Sequence, residues 1–195
     1  MQILNNVFNE RTINIMMDIE TTGVRPGCRV LSIGLVAFDE KGTGASMLAF
    51  PKLSDQVGVD DGNTMGWWDT QSAEAKSVFA DNHILGESVE NTYKRIKTFI
   101  DDLVDARKSL SQGLEKVDVR IWGNGATFDN SIVQHMFYAK GLPIPWNTFG
   151  DRCYRTAINM LGRPNIQRQG THHDALHDAV YQAQCLIKAL ENASE

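Results

Sequence analysis

Cysteine is scarce and scattered. Cys28, Cys153 and Cys185 are odd in number and far apart, and form neither a disulfide framework nor a clustered zinc pattern. A reducing, cytoplasmic setting is the expectation, with all three read as packing residues. No apolar run approaches the ~18 residues that cross a bilayer. The first ten residues lack the basic-then-apolar layout of a secretory signal, so no membrane partner is expected. Basic charge is in deficit: 19 Lys and Arg against 24 Asp and Glu leave a formal charge of −5. This is unlike a protein that grips duplex DNA mainly by neutralising phosphates. It does not exclude phosphate chemistry, because divalent cations held by carboxylates supply positive charge locally. Internal repeats and linker-like stretches are also missing. The 195 residues are therefore expected to form a single domain, 1–195, with a sizeable core.

The hydrophobic pattern reads as α/β. Residues 12–20 alternate, with Ile13, Ile15, Met17 and Ile19 on one side and Thr12, Asn14, Met16, Asp18 and Glu20 on the other, which predicts a strand. Residues 29–39 and 44–50 continue as second and third strands around a turn at Glu40-Lys41-Gly42, giving an antiparallel meander. Residues 51–64 read as a polar loop and 70–79 as a short helix. Ser88 can cap a long helix carrying Val89, Tyr93, Ile96, Ile100, Leu103 and Arg107 at spacings of three and four. A strand over 117–122, then helices over 128–140, 151–161 and 174–191, complete the order. A mixed sheet flanked by helices accommodates it.

Three clusters carry chemistry. Asp18 and Glu20, two apart on a strand, share a face about 6.6 Å apart. Their repulsion has a purpose if a hard cation sits between them; solvated acids at a fraying strand end are the plainer alternative. Asp129 follows a strand and the turn Gly123-Asn124-Gly125, where an acid can also serve the helix dipole. The third cluster, Thr171-His172-His173-Asp174-Ala175-Leu176-His177-Asp178, holds three of the five histidines, and a zinc site is its runner-up reading. His173 and Asp178 are about 140° apart on an ideal helix. They can face one point only if His173 lies in the loop ahead of the helix.

Together these clusters resemble the DnaQ-like 3′–5′ exonucleases with an Asp-Glu-Asp-Asp-His site and a ribonuclease H-like fold. Asp18-Ile19-Glu20-Thr21-Thr22-Gly23 is similar to the first family motif, Asn124 with Phe128-Asp129 to the second, and His173-Asp174-Ala175-Leu176-His177-Asp178 to the third. Ile33-Gly34-Leu35-Val36-Ala37-Phe38-Asp39 and Trp67-Trp68 ahead of Gln71-Ser72-Ala73 further resemble the branch that contains phage exonuclease A and the mycobacterial 3′–5′ exoribonuclease-like domain. Others in that branch often have Pro where this chain has Ala73.

The resemblance implies a catalytic set of Asp18, Glu20, Asp129, His173 and Asp178. It implies two Mg²⁺ or Mn²⁺ ions, with Asp18 bridging, Glu20 and Asp178 on the ion that binds the attacking water, and Asp129 on the second. His173 is the implied general base. The expected product is a nucleoside 5′-monophosphate released from the 3′ end of single-stranded DNA or RNA. Thr21, Thr22, Gly23 and Val24 are candidates to meet the terminal ribose. Trp67, Trp68, Asn124 and Phe128 are candidates to hold bases, one tryptophan buried and the other near substrate, and Arg163 and Arg168 to meet phosphates. A homodimer is expected. Two competing readings remain: a catalytically silent end-binding module of the same fold, and a metal-free hydrolase with two carboxylates as acid and base.

Overall fold

The computed structural model describes residues 2–111 and 113–194. Among them one mixed sheet has the strand order β3–β2–β1–β4–β5, with β1 (Thr12–Thr21), β2 (Val30–Asp39), β3 (Gly42–Ala49), β4 (Asp118–Gly123) and β5 (Asp151–Cys153). The first three strands form the antiparallel meander that the turn residues predict. β4 and β5 add parallel to β1 and to each other.

β1 is buried along its whole length. Ile13, Ile15, Met17 and Ile19 pack on Ile96 and Ile100 of α4 (Val89–Leu110) and on Ile132, Val133 and Phe137 of α5 (Asp129–Ala139). On the other face Met16 meets Ala179, Ala183 and Leu186 of α7 (Ala175–Asn192). Each such side chain contributes roughly 1.5–3 kcal/mol of apolar burial. Asn14 tolerates burial on this face because it accepts from Trp122 Nε1 at 2.9 Å and donates to the Val7 carbonyl at 2.9 Å. α4 begins where its periodicity predicts, with Ser88 Oγ accepting from the Asn91 amide at 3.1 Å.

The remaining elements depart from the sequence reading in three places. Residues 151–153 are an edge strand, and the helix α6 begins only at Tyr154 (Tyr154–Leu161). The Asp151 carboxylate accepts from Asn130 Nδ2, Gln134 Nε2 and Trp146 Nε1, each at 2.8 Å. That network pins the chain beside β4 and overrides local helix preference. The expected loop over 51–64 ends in α2 (Gly62–Asp69), capped by the Asp61 carboxylate accepting from the Thr64 amide at 2.8 Å, so Trp67 and Trp68 are helical. α3 (Ala73–Leu85) then starts at Ala73, a first-turn position that Pro would also suit. A short α1 (Gln2–Val7) had no periodic signal of useful length. No helix among the described residues is long and apolar enough to cross a membrane.

Two glycines bring helix starts against the sheet. Gly34 is paired with Asp18, and a Cβ there would lie 2.3 Å from the Ala175 carbonyl carbon and oxygen. Gly123 is paired with Met17, and its Cβ would lie 2.3 Å from Asn130 Oδ1 and 2.9 Å from Asp129 Cβ. The first turn of α7 thus reaches one face of the β1 edge and the first turn of α5 the other. We expect Gly34→Ala to lower stability by about 1–3 kcal/mol through overpacking. Gly44→Ala, whose Cβ meets nothing closer than 3.7 Å, should change it by less than about 0.5 kcal/mol. Urea unfolding reads both, and equal effects would contradict the close approach.

Candidate active site

The five signature residues converge at the C-terminal end of β1. Asp18 and Glu20 face α7 and are only 8% and 7% exposed. Asp178 projects from the first turn of α7. His173 precedes that helix with φ 62°, the only non-glycine residue in the left-handed region among those described. This removes the angular conflict posed by the five-residue spacing: His173 lies ahead of the cap formed by Asp174, whose carboxylate accepts from the His177 amide at 2.9 Å. One ligand atom each from Glu20, His173 and Asp178 lie within 4.8 Å of one another. Asp129 enters from α5, 1% exposed, close enough to raise the proton affinity of both Asp18 and Glu20. His172 and His177 are exposed, and the histidine cluster does not gather into a zinc-like group.

A cleft of about 960 Å³ opens over Asp18, Glu20, His173 and Asp178, while Asp129, buried on the α5 side, is not part of its lining. Thr21, Gly23, Val24, Trp67, Trp68, Asn124 and Phe128 line it. Trp68 is the buried tryptophan, its Nε1 donating to the Thr21 carbonyl at 2.8 Å. Trp67 is 42% exposed and stands edge-on to His173, with ring centroids 4.9 Å apart. Three expected contact residues lie off the cleft wall. Thr22 is buried, and its Oγ1 accepts from the Arg29 amide at 3.2 Å to hold the turn. Arg163 is exposed beside Tyr181. Arg168 folds inward onto Asp178 as an ion pair, its guanidinium 5.0 Å from the centre of the Tyr181 ring.

Two contacts had no place in the sequence reading. Gln182 Nε2 donates to Asp18 Oδ1 at 2.6 Å; its spacing of four from Asp178 was the available signal. Arg155 Nη2 donates to the Asn124 carbonyl at 2.7 Å, a tertiary contact with no local signature.

Burial dominates the electrostatics. It raises Asp18 well above the usual carboxylate range, with Asp129 and then Glu20 adding repulsion and the Gln182 amide and Arg168 opposing it. Burial, then Asp174 and Asp129, push Glu20 up to about 8. Burial pushes Asp129 to about 7 against its own backbone amide, Arg155 and the amides of Ile19 and Asn124. Asp129 Oδ2 is buried without a hydrogen-bond partner. His173 is held below the ordinary histidine value by burial, then by His172 and Arg168. For a carboxyl whose folded pKa is raised, the favourable contribution is present below the unfolded pKa and is lost as pH rises through the folded one. Without added metal, the midpoint of thermal unfolding should therefore fall as pH is raised from about 5 to about 8. Glu20→Gln should flatten that slope; a wild-type profile with no slope would show that the acids are not in conflict.

Against this geometry, the family model described as the 3′–5′ exoribonuclease Rv2179c-like domain matches residues 13–190. No curated protein matches by sequence. Among solved structures, the chain is similar to E. coli exonuclease I in a complex with single-stranded DNA (14% identity, 94% of this chain and 41% of that one, TM-score 0.62). It is also similar to exonuclease X in complex with 5′-overhanging duplex DNA (16% identity, 93% of each chain, TM-score 0.54). A third is the nuclease domain of 3′hExo, a DEDDh family member, bound to rAMP (9% identity, 92% of each chain, TM-score 0.55). This chain spans about two-fifths of exonuclease I and nearly all of the other two. At these identities the likeness is one of fold, and the fold is ribonuclease H-like, as the motifs imply. With the family model reaching from β1 into the last turn of α7, the chain belongs to the Rv2179c-like 3′–5′ exoribonuclease domain family.

Proposed function

We propose that this 3′–5′ exonuclease domain hydrolyses single-stranded DNA or RNA from its 3′ end to nucleoside 5′-monophosphates, with His173 as general base. Two divalent cations, Mg²⁺ or Mn²⁺, would be held by Asp18, Glu20, Asp129 and Asp178. The observation that carries this reading is the burial of mutually repelling carboxylates in one corner, with Asp129 Oδ2 left without a donor. Hard cations take such oxygen ligands, so the residues present fit the group. Bound there, the cations supply the positive charge that stabilises the attacking and leaving oxygens of an in-line displacement.

The chain's own side chains account for the rest. With its pKa held low, His173 is neutral around pH 7 and ready to take the proton of a water molecule. The water oxygen bonds to phosphorus, the P–O3′ bond to the preceding nucleotide breaks with its electron pair on O3′, which takes a proton from solvent, and the terminal 5′-monophosphate leaves. Trp67, exposed in the cleft and edge-on to His173, offers a stacking surface for an unpaired terminal base, worth ~1–3 kcal/mol and indifferent to sequence. Gly23 and Val24 border the same cleft, where a terminal ribose and its 3′-hydroxyl would lie. Arg168 reaches a phosphate only after releasing Asp178. The cytoplasm is the proposed setting and the homodimer the proposed assembly.

End-labelled single strands of DNA and RNA with one sequence, digested with Mn²⁺, should shorten stepwise from the 3′ end, and the faster substrate identifies the sugar. EDTA should stop the reaction and added Mn²⁺ or Mg²⁺ restore it; indifference to EDTA favours the metal-free hydrolase. Asp129→Ala should abolish nucleotide release while retaining the fold. Retained binding by a wild-type protein that releases nothing favours the end-binding module. His173→Ala should lower kcat by about 10²–10⁴-fold, whereas Trp67→Ala should act mainly on KM. With Mn²⁺ saturating, so that the acids are held ionised, the acidic limb of the wild-type rate profile should fall below the ordinary histidine value of about 6.5, because the neutral imidazole persists to lower pH.

A further inference from the structure

Gln182 lies one helical turn beyond Asp178 on α7 and is 6% exposed. The other buried residues of that helix are all apolar or weakly polar, Ala175, Ala179, Ala183, Cys185 and Leu186 among them. A long polar amide among them is an anomaly, since burying it is unfavourable unless its groups are paired. An apolar side chain of the same length would extend the core. The amide has one partner, Asp18 Oδ1, at 2.6 Å. Its other end, Oε1, is buried with no donor. In this orientation the amide nitrogen faces Asp18 Oδ1; against the ionised carboxylate that a cation requires, the flipped amide would set acceptor to acceptor.

We propose that Gln182 is a positioning residue for the cation site, fixing the rotation of the Asp18 carboxylate before any cation arrives. This rests on the metal reading above. A neutral donor suits the task. Lys or Arg would cancel the charge that the cations need, and Glu would add a repelling acid. The amide occupies Oδ1 from the α7 side while Asp18 still borders the cleft. Partners of this kind behind metal ligands alter affinity by about 10–100-fold when removed.

The test uses Gln182→Met, which keeps the length and removes the donor, with Mn²⁺ binding followed by calorimetry and thermal unfolding followed in EDTA. We expect the Mn²⁺ dissociation constant to rise about tenfold or more, while the unfolding midpoint in EDTA stays level or rises. An unchanged dissociation constant overturns the proposal, as does a fall in the EDTA midpoint that parallels the loss of binding. If the Met variant does not fold, Gln182→Glu keeps the shape and decides by the same titration. Weakening of at least the same size supports the role, and wild-type affinity overturns it. Failure of the wild-type protein itself to bind Mn²⁺ would instead overturn the metal reading, independently of Gln182.

Discussion

Like charges forced together away from water are the constraint on which this molecule is organised. Asp18, Glu20 and Asp129 would each ionise readily in solvent, yet each is almost wholly buried at one end of the sheet. Nothing local favours that arrangement. It is imposed by a strand locked on both faces, with isoleucines under α4 and α5 on one side and Met16 under α7 on the other. The apolar packing of β1 fixes the position of the acids, and the two side-chain-free positions, Gly34 and Gly123, let the helices bring the remaining residues to them. Repulsion is partly relieved from within by Gln182 on Asp18, by Arg168 on Asp178 and by Arg155 near Asp129.

Legibility in the sequence followed the range of the interactions. The meander could be read because alternation and the turn at Glu40-Lys41-Gly42 are local, and α4 because Ser88 and the Ile96–Ile100 spacing lie within one helix. The spacing of Asp18 and Glu20 and the placement of His173 ahead of α7 were also legible, the second because the angle between His173 and Asp178 allows little else. Trp67 and Trp68 could be divided into one inside and one outside by helical geometry, but which was which depended on the Thr21 carbonyl reaching Trp68. The strand at Asp151 was hidden because its cause is three donors from distant segments. Arg168 illustrates the same limit: a loop arginine reads as exposed until Asp178 is placed beside it.

The family relationship and the geometry inform one another. Exonucleases that differ from this chain at more than four positions in five share its sheet and helices, and the chain itself belongs to a 3′–5′ exoribonuclease domain family. What the structure adds is the character of the cleft wall. One side is backbone and small residues from the turn after β1; the other is an aromatic helix, α2, whose Trp67 stands against His173. The imidazole is therefore braced by a ring edge in addition to its strained backbone.

The acids come from the first strand of the sheet and from the last helix packed on it, with Asp129 between them in the chain. During synthesis the earlier elements leave the ribosome first. A nascent chain that has extruded β1 through α6 holds Asp18, Glu20 and Asp129 but neither His173 nor Asp178. The five groups cannot meet until α7 docks on Gly34.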